Sequence, residues 1–171
     1  MATEQHRSEA AKLPPVSVAV ITISDTRTEE TDESGKLIRQ LLDQAGHRID
    51  VYTILKDDPD AIHAMVERLA AEGRVQAVIT NGGTGIAPRD GTFEAVSGLL
   101  SRELPGFGEI FRMLSYHEVG AAAMLSRAIA GLCGKTFVFC IPGSVNAVRV
   151  AMEKLIVPEL AHLVWEANRK R

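Results

Sequence analysis

The sequence predicts an α/β protein, a three-layer α/β/α sandwich around a mostly parallel sheet. Three observations carry that prediction. Four apolar, β-branched runs alternate with amphipathic helical stretches along the chain. The strongest runs are apolar at nearly every position, as strands covered on both faces are. No repeat or low-complexity block interrupts the alternation, so parallel pairing through right-handed crossovers is the expected topology.

The elements follow in order. Met1 to Pro15 carries acids, Gln and Ser without an apolar stretch, and is expected to be a flexible tail of a cytoplasmic protein, neither signal peptide nor membrane anchor. Residues 16–171 then form one domain. Val16 to Ser24 reads as a central strand. Leu37, Ile38, Leu41, Leu42 and Ala45 recur at helical spacing, with Gly46 as the stop. Arg48 to Leu55 is a second strand, and Asp58-Pro59 opens a helix striped by Ile62, Met65, Val66 and Leu69 and ending at Gly73. Val75 to Thr80 is the third strand. After the glycine loop that follows, a helix begins near Thr92 and runs through Val96, Leu99 and Leu100 until Pro105-Gly106 interrupts it. Two further helices are expected, Phe107 to His117 and the alanine-rich stretch Val119 to Leu132. Thr136 to Ile141 is a fourth strand, and the long C-terminal helix after Ser144 is divided or kinked by Pro158.

Composition narrows the function. A net charge of −3 and 5% aromatic residues exclude the basic, aromatic-interleaved surface of a nucleic-acid binder. Compact anions remain possible ligands, since they need only a local pocket. Cys133 and Cys140 have no C-x-x-C spacing and read as reduced thiols, and the five histidines include no i, i+4 pair, which disfavours a histidine metal site.

In a parallel sheet, ligands bind beyond the carboxyl ends of the strands, and the unusual residues of this chain all follow strands. Ser24, Asp25 and Arg27 follow the first, Asp57 and Asp58 the second, Asn81 to Asp90 the third, and Pro142, Gly143 and Ser144 the fourth. Gly82, Gly83 and Gly85 can turn successive N–H groups toward an anion, and Thr84 adds a hydroxyl. The loop is neither the dinucleotide G-x-G-x-x-G fingerprint nor a Walker A loop. Ser144 either caps the last helix or offers its hydroxyl and helix N-terminus to an anion. Asp57 and Asp90 either cap helices or share one divalent cation, for which Mg²⁺ is the natural choice beside phosphate. Arg27 and Arg89 suit phosphate neutralisation. Glu109 and Arg112 read as an exposed pair on a helix that also carries Ser115. With no Ser-His-Asp or Cys-His arrangement in view, phosphoryl-type chemistry suits these residues better than acyl transfer.

Five separated segments resemble one family: Thr80-Asn-Gly-Gly-Thr-Gly85, Arg89-Asp90, Leu104-Pro-Gly-Phe-Gly-Glu109 with Arg112, Leu125-Ser-Arg127, and Ile141-Pro-Gly-Ser144. Together they resemble the MogA/MoaB family of molybdenum cofactor biosynthesis proteins, and the segment Glu109 to Gly120 with Ser126 to Gly131 is similar to its MoaB branch. The resemblance implies a molybdopterin-binding domain. Active members transfer AMP from Mg·ATP to the terminal phosphate of molybdopterin, releasing pyrophosphate. It maps the functional, metal-holding carboxylates onto Asp57, with Asp58 adjacent to it, and Asp90, although Leu55-Lys-Asp-Asp58 departs from the Pro-Asp-Glu pattern of clear adenylyltransferases. It also implies substrate or nucleotide contacts from Ser24, Asp25, Arg27, Asn81, Gly82, Gly83, Thr84, Gly85, Glu109, Ser115, Pro142, Gly143 and Ser144. A homotrimer or homohexamer and a MoeA-like molybdenum-insertion partner are expected. The alternative is a non-catalytic molybdopterin-binding protein of the MoaB type. A third reading, the pyrophosphatase domain of CinA-like proteins, shares the fold but is disfavoured by the Gly-Gly-Thr-Gly and Pro-Gly-Phe-Gly-Glu segments.

Overall fold

In a computed structural model that describes residues 14–169, a six-stranded mixed sheet lies between two layers of helices. The expectation of a flexible tail over residues 1–15 falls, but for Pro14 and Pro15, outside the described residues. Strands β1 (Ser17–Ile23), β2 (Arg48–Leu55), β3 (Ala77–Asn81) and β6 (Thr136–Ile141) run parallel in the order β2-β1-β3-β6. Successive side chains of a strand point to opposite faces, so the continuous apolar runs feed two cores. Val18, Val20, Ile79, Phe137 and Phe139 pack on one side, and Ala19, Ile21, Val78, Val138 and Cys140 on the other.

Helices α1 (Glu33–Gln44), α4 (Pro105–Val119), α5 (Val145–Ala151) and α6 (Val157–Asn168) cover the first core, and α2 (Pro59–Glu72) and α3 (Thr92–Ser97) the second. Their ends follow from local chemistry. Asp32 caps α1 by accepting from the Gly35 N–H, and Asp58 caps α2 by accepting from Asp60 and Ala61. Gly46 and Gly73 leave those helices at φ 77° and 65° with open space around them, the left-handed stop that glycine permits. No helix of the described residues is long and apolar enough to cross a membrane.

Two sequence expectations are corrected, and a third, the break at Pro158, is borne out. The stretch from Val119 to Leu132 is not one helix: a 3₁₀ segment, Gly120–Leu125, gives way to strand β5 (Ile129–Cys133), antiparallel to β6. Strand β5 pairs in turn with the two-residue β4 (Arg102–Glu103). Gly131 explains the pairing, because a Cβ there would lie 2.2 Å from the Arg102 carbonyl oxygen, and a glycine within a strand marks such a close approach. Helix α3 stops at Ser97, earlier than expected, while Leu99 and Leu100 still pack on the second core. Pro158 divides the C-terminal helix through a π-helical turn, Met152–Ile156, closed by the bond from the Val157 N–H to the Met152 carbonyl. Proline has no N–H for the carbonyl four residues earlier and its ring crowds that oxygen, so the chain widens just ahead of it.

Candidate functional site

The carboxyl ends of β1, β3 and β6 open onto a cleft of about 450 Å³. Gly82 and Gly143 make its floor. The Gly82 N–H donates to the Ile141 carbonyl at 3.0 Å, its φ is 107°, and a Cβ on it would come within 2.3 Å of the Ile23 carbonyl oxygen. A Cβ on Gly143 would in turn lie 3.0 Å from the Gly82 Cα. The loops after β3 and β6 therefore touch backbone to backbone, an approach only paired glycines allow. Ser24, Arg27, Thr84, Gly85, Asp90 and Pro142 contribute to the walls.

The acids sort cleanly. Asp58 is spent on capping α2, whereas the neighbouring Asp57 carboxylate turns to the glycine loop: a Cβ on Gly83 would meet its two oxygens at 2.8 and 2.9 Å. Asp57 also accepts a long, 3.5 Å bond from the Gly91 N–H. Burial pushes the Asp57 carboxyl above its ordinary range, the Gly91 bond opposes this, and the charge of Asp90 raises it further. Asp90 does not cap α3, whose N-cap is Gly91. One Asp90 oxygen accepts from the Ala87 N–H at 2.9 Å and so closes its own loop. Asp25 pairs with Arg89 and accepts from the Asp57 N–H at 3.2 Å, which ties the loops after β1, β2 and β3 together. Thr92 stands beside this group. It is fully buried, and its Oγ1 is the one buried side-chain oxygen or nitrogen among the described residues without a hydrogen-bond partner. That oxygen lies 2.1 Å from where a Gly83 Cβ would be, next to the Asp57 carboxylate.

Behind the cleft sits a buried polar cluster whose keystone, Asp32, was not singled out by the sequence. Its carboxylate accepts from Thr22 Oγ1 at 2.6 Å, Tyr52 OH at 2.8 Å and the Gly35 N–H at 3.0 Å, and lies 3.5 Å from the Arg27 guanidinium. Burial alone would raise its pKa. The bonds from Thr22, Gly35, Tyr52 and Ser34 outweigh that and hold it below the ordinary value. The Tyr52 phenol is pushed up to about 12 by burial and by its bond to the Asp32 carboxylate. In a Tyr116→Phe variant, Tyr52 is the sole tyrosine of the chain, so absorbance at alkaline pH is expected to titrate with a midpoint near 12. Ionisation at an ordinary phenol value would contradict the Tyr52–Asp32 bond.

Six predicted site residues do not line the cleft itself: Asp25 and Asp57, which stand beside it in the tied loops after β1 and β2, and Asn81, Glu109, Ser115 and Ser144. Asn81 is fully buried, its amide bonded to Ser34 and Thr22, so it underlies the cleft without facing it. Glu109 is exposed and Ser115 buried on α4, and neither lines the cleft. That helix packs against β5, with Gly108 close to the Ala128 carbonyl, at the antiparallel end of the sheet. Ser144 caps α5 by accepting from the Ala147 N–H at 3.2 Å.

What sequence reasoning left out of the site enters through β5. Because β5 is antiparallel, its first residue, Ile129, pairs with Cys140 at the carboxyl end of β6. The segment before it therefore arrives at the cleft, bringing Leu125 and Ser126 to the lining. Arg127 donates to the carbonyls of Thr84 at 2.9 Å and Gly85 at 2.6 Å, pairs with Glu94, and lies over the Phe93 ring at 4.9 Å. It braces the glycine loop from outside.

Comparison with known proteins matches nearly the whole chain. The family model described as "Probable molybdopterin binding domain" matches residues 19–162. Molybdenum cofactor biosynthesis protein B of Bacillus subtilis (strain 168) is 53% identical over 172 residues, covering 100% of both chains. A crystal structure of Molybdenum cofactor biosynthesis protein B superposes with a TM-score of 0.88 at 52% identity, covering 93% of this chain and 100% of that one. The tungsten cofactor synthesizing protein MoaB from Pyrococcus furiosus gives a TM-score of 0.81 at 38% identity, over 91% of this chain and 98% of its own. With the whole domain matched and the glycine loops in place, the chain belongs to the MogA/MoaB family of molybdenum cofactor biosynthesis proteins.

Proposed function

We propose that the cleft binds molybdopterin together with ATP and transfers AMP to the terminal phosphate of the pterin, with pyrophosphate leaving. The observation that carries this reading is the placement of Asp57 and Asp90 on either side of the glycine loop, against Gly83 and Gly85 respectively. Backbone N–H groups and Arg27 bind the phosphates, and the substrate phosphate serves as nucleophile, so the protein's work is positioning and charge neutralisation.

The residues fit a bound Mg²⁺. Among the described residues no three His, Cys, Asp or Glu side chains cluster to cage a metal, but Mg²⁺ beside phosphates takes one or two carboxylates and completes its shell with phosphate oxygens and water. Asp57 and Asp90 would hold it, and the orphaned Thr92 hydroxyl next to Asp57 supplies a polar group for that shell's water. Bound there, Mg²⁺ would neutralise charge on the transferring phosphate.

The second reading, molybdopterin binding without turnover, is favoured by the sequence Lys56-Asp57-Asp58, where clear adenylyltransferases carry Pro-Asp-Glu. A homotrimer or homohexamer is part of the proposal. Ile110, Met113, Tyr116 and Val119 recur at three-residue spacing on α4 and are exposed, an apolar stripe suited to a second copy of the chain. A MoeA-like insertion protein would receive the product.

One assay separates the readings: purified protein with molybdopterin, ATP and Mg²⁺, following adenylylated pterin and pyrophosphate. Asp90→Asn is expected to lower turnover by about 100-fold or more while the fold and pterin binding persist. Near-normal turnover in that variant would refute the role of Asp90. Pterin binding without product in the unmodified protein would leave the binding reading.

A further inference from the structure

The polar cluster behind the cleft has a favoured order of protons. Arg27 can only donate, and its Nη1 lies 2.5 Å from Ser34 Oγ. Ser34 Oγ has one proton and two acceptors in reach, Asn81 Oδ1 at 2.7 Å and Asp32 Oδ1 at 3.1 Å, and the shorter contact takes the larger share of it. Asn81 is held in this orientation because its Nδ2 faces two acceptors, Thr22 Oγ1 at 3.0 Å and the Ile21 carbonyl at 3.4 Å. Having accepted from Asn81, the Thr22 hydroxyl gives its proton to Asp32 Oδ2 at 2.6 Å. Asp32 then closes the circuit on Arg27 at 3.5 Å. Arg27, Ser34, Asn81, Thr22 and Asp32 thus form a ring in which every bond runs the same way from the cation to the carboxylate.

Bonds arranged head to tail polarise one another and resist reorientation. Four of the five side chains are buried, and only Arg27 reaches the cleft. Its Nη2 donates to the Gly143 carbonyl at 3.0 Å, which, with Ser34 and Asp32 on Nη1, leaves two of its five N–H groups for a ligand. An arginine on a loop ordinarily loses much rotamer freedom on binding an anion. Here that freedom has already been removed by the ring on one side and Gly143 on the other.

We propose that this ring is the device that positions Arg27 as the anion-contacting group of the cleft, with Thr22 and Asp32 as positioning residues that never touch the ligand. The inference rests on the reading of the cleft as a phosphate site. It assigns Asn81 to the ring, where the chain's resemblance to its family implied a ligand contact.

The test uses pyrophosphate alone as probe, with calorimetric binding at fixed ionic strength and thermal melts on each variant. Arg27→Ala is expected to lose most of the affinity. Thr22→Val, which keeps the shape and removes the hydroxyl, should weaken binding about tenfold, the worth of one charge-assisted bond. Thr22→Ser should restore it, and Ser34→Ala, which cuts the ring at another point, should match the valine variant if that one folds poorly. In an Arg27→Ala background Thr22→Val should have no further effect, because the ring then has nothing to hold. Equal losses in both backgrounds, or unchanged binding in Thr22→Val, would overturn the proposal. Absence of pyrophosphate binding by the unmodified protein would overturn the phosphate-site reading itself, and the positioning role with it.

Discussion

Gly82→Ala is expected to destabilise the protein by about 2–4 kcal/mol and to abolish ligand binding in whatever fraction remains folded. A φ of 107° is one that L residues rarely adopt, and the added methyl would meet the Ile23 carbonyl oxygen at 2.3 Å. The backbone cannot step aside. The Gly82 N–H is bonded to Ile141, and Gly143 presses on its Cα from the other loop. Gly46→Ala and Gly73→Ala are the controls. Both glycines also have positive φ but stand in open space, so each should cost only about 1 kcal/mol of backbone strain. Urea denaturation of the three variants measures the difference, and a Gly82→Ala cost no larger than the controls would show that Gly82 does not sit against the Ile23 carbonyl.

Asp32→Ala should be the more damaging change, at about 3–5 kcal/mol, the cost of breaking a buried ion pair by removing one partner. It strips the cap from α1 and leaves Thr22, Tyr52 and the Gly35 N–H without their acceptor. Against a total stability of about 5–15 kcal/mol for an ordinary domain, that is enough to unfold a large fraction of the protein. The sign of the pH dependence follows from the lowered Asp32 pKa. A carboxylate held below its unfolded value contributes stability that is complete above the ordinary 3.8 and is lost as pH falls through the lowered folded value. The stability gap between the unmodified protein and Asp32→Asn, from denaturant melts, should therefore be widest near neutrality and narrow in acid. A gap that stays constant from neutral to strongly acidic pH would mean that Asp32 contributes only shape.

The sequence was most legible where a segment's structure is decided locally. The parallel strands carry unbroken β-branched runs, and the end of α1 and both ends of α2 are marked by Gly46, Asp58 and Gly73, residues whose caps and stops act within one turn. Strand β5 was hidden because Ile129-Ala-Gly-Leu-Cys133 has neither alternation nor a β-branched run and follows an alanine-rich stretch that suits a helix. Only its pairing with β6, a contact made by the folded chain, makes it a strand. The site divided the same way. Glycines required by close approach announced Gly82, Gly83 and Gly143, while nothing local set Asp32 apart from other acids, and Arg127 stood out only as part of a family segment, without its contact to the glycine loop. Their roles depend on residues 20 to 43 positions away, Tyr52 for Asp32 and Thr84 for Arg127.

The π-helical turn ahead of Pro158 has a consequence for how the C-terminal segment keeps its grip on the sheet. Val148, Met152, Ile156, Leu160 and Val164 are all buried, at a strict spacing of four residues. In a regular helix each four-residue step overshoots a full turn by about 40°, so four steps would swing the last side chain about 160° away from the first. Widening one turn by a residue rewinds part of that drift. The turn is therefore a phase correction, and through it a helix interrupted by proline presents one continuous seam to the core from Val148 to Val164.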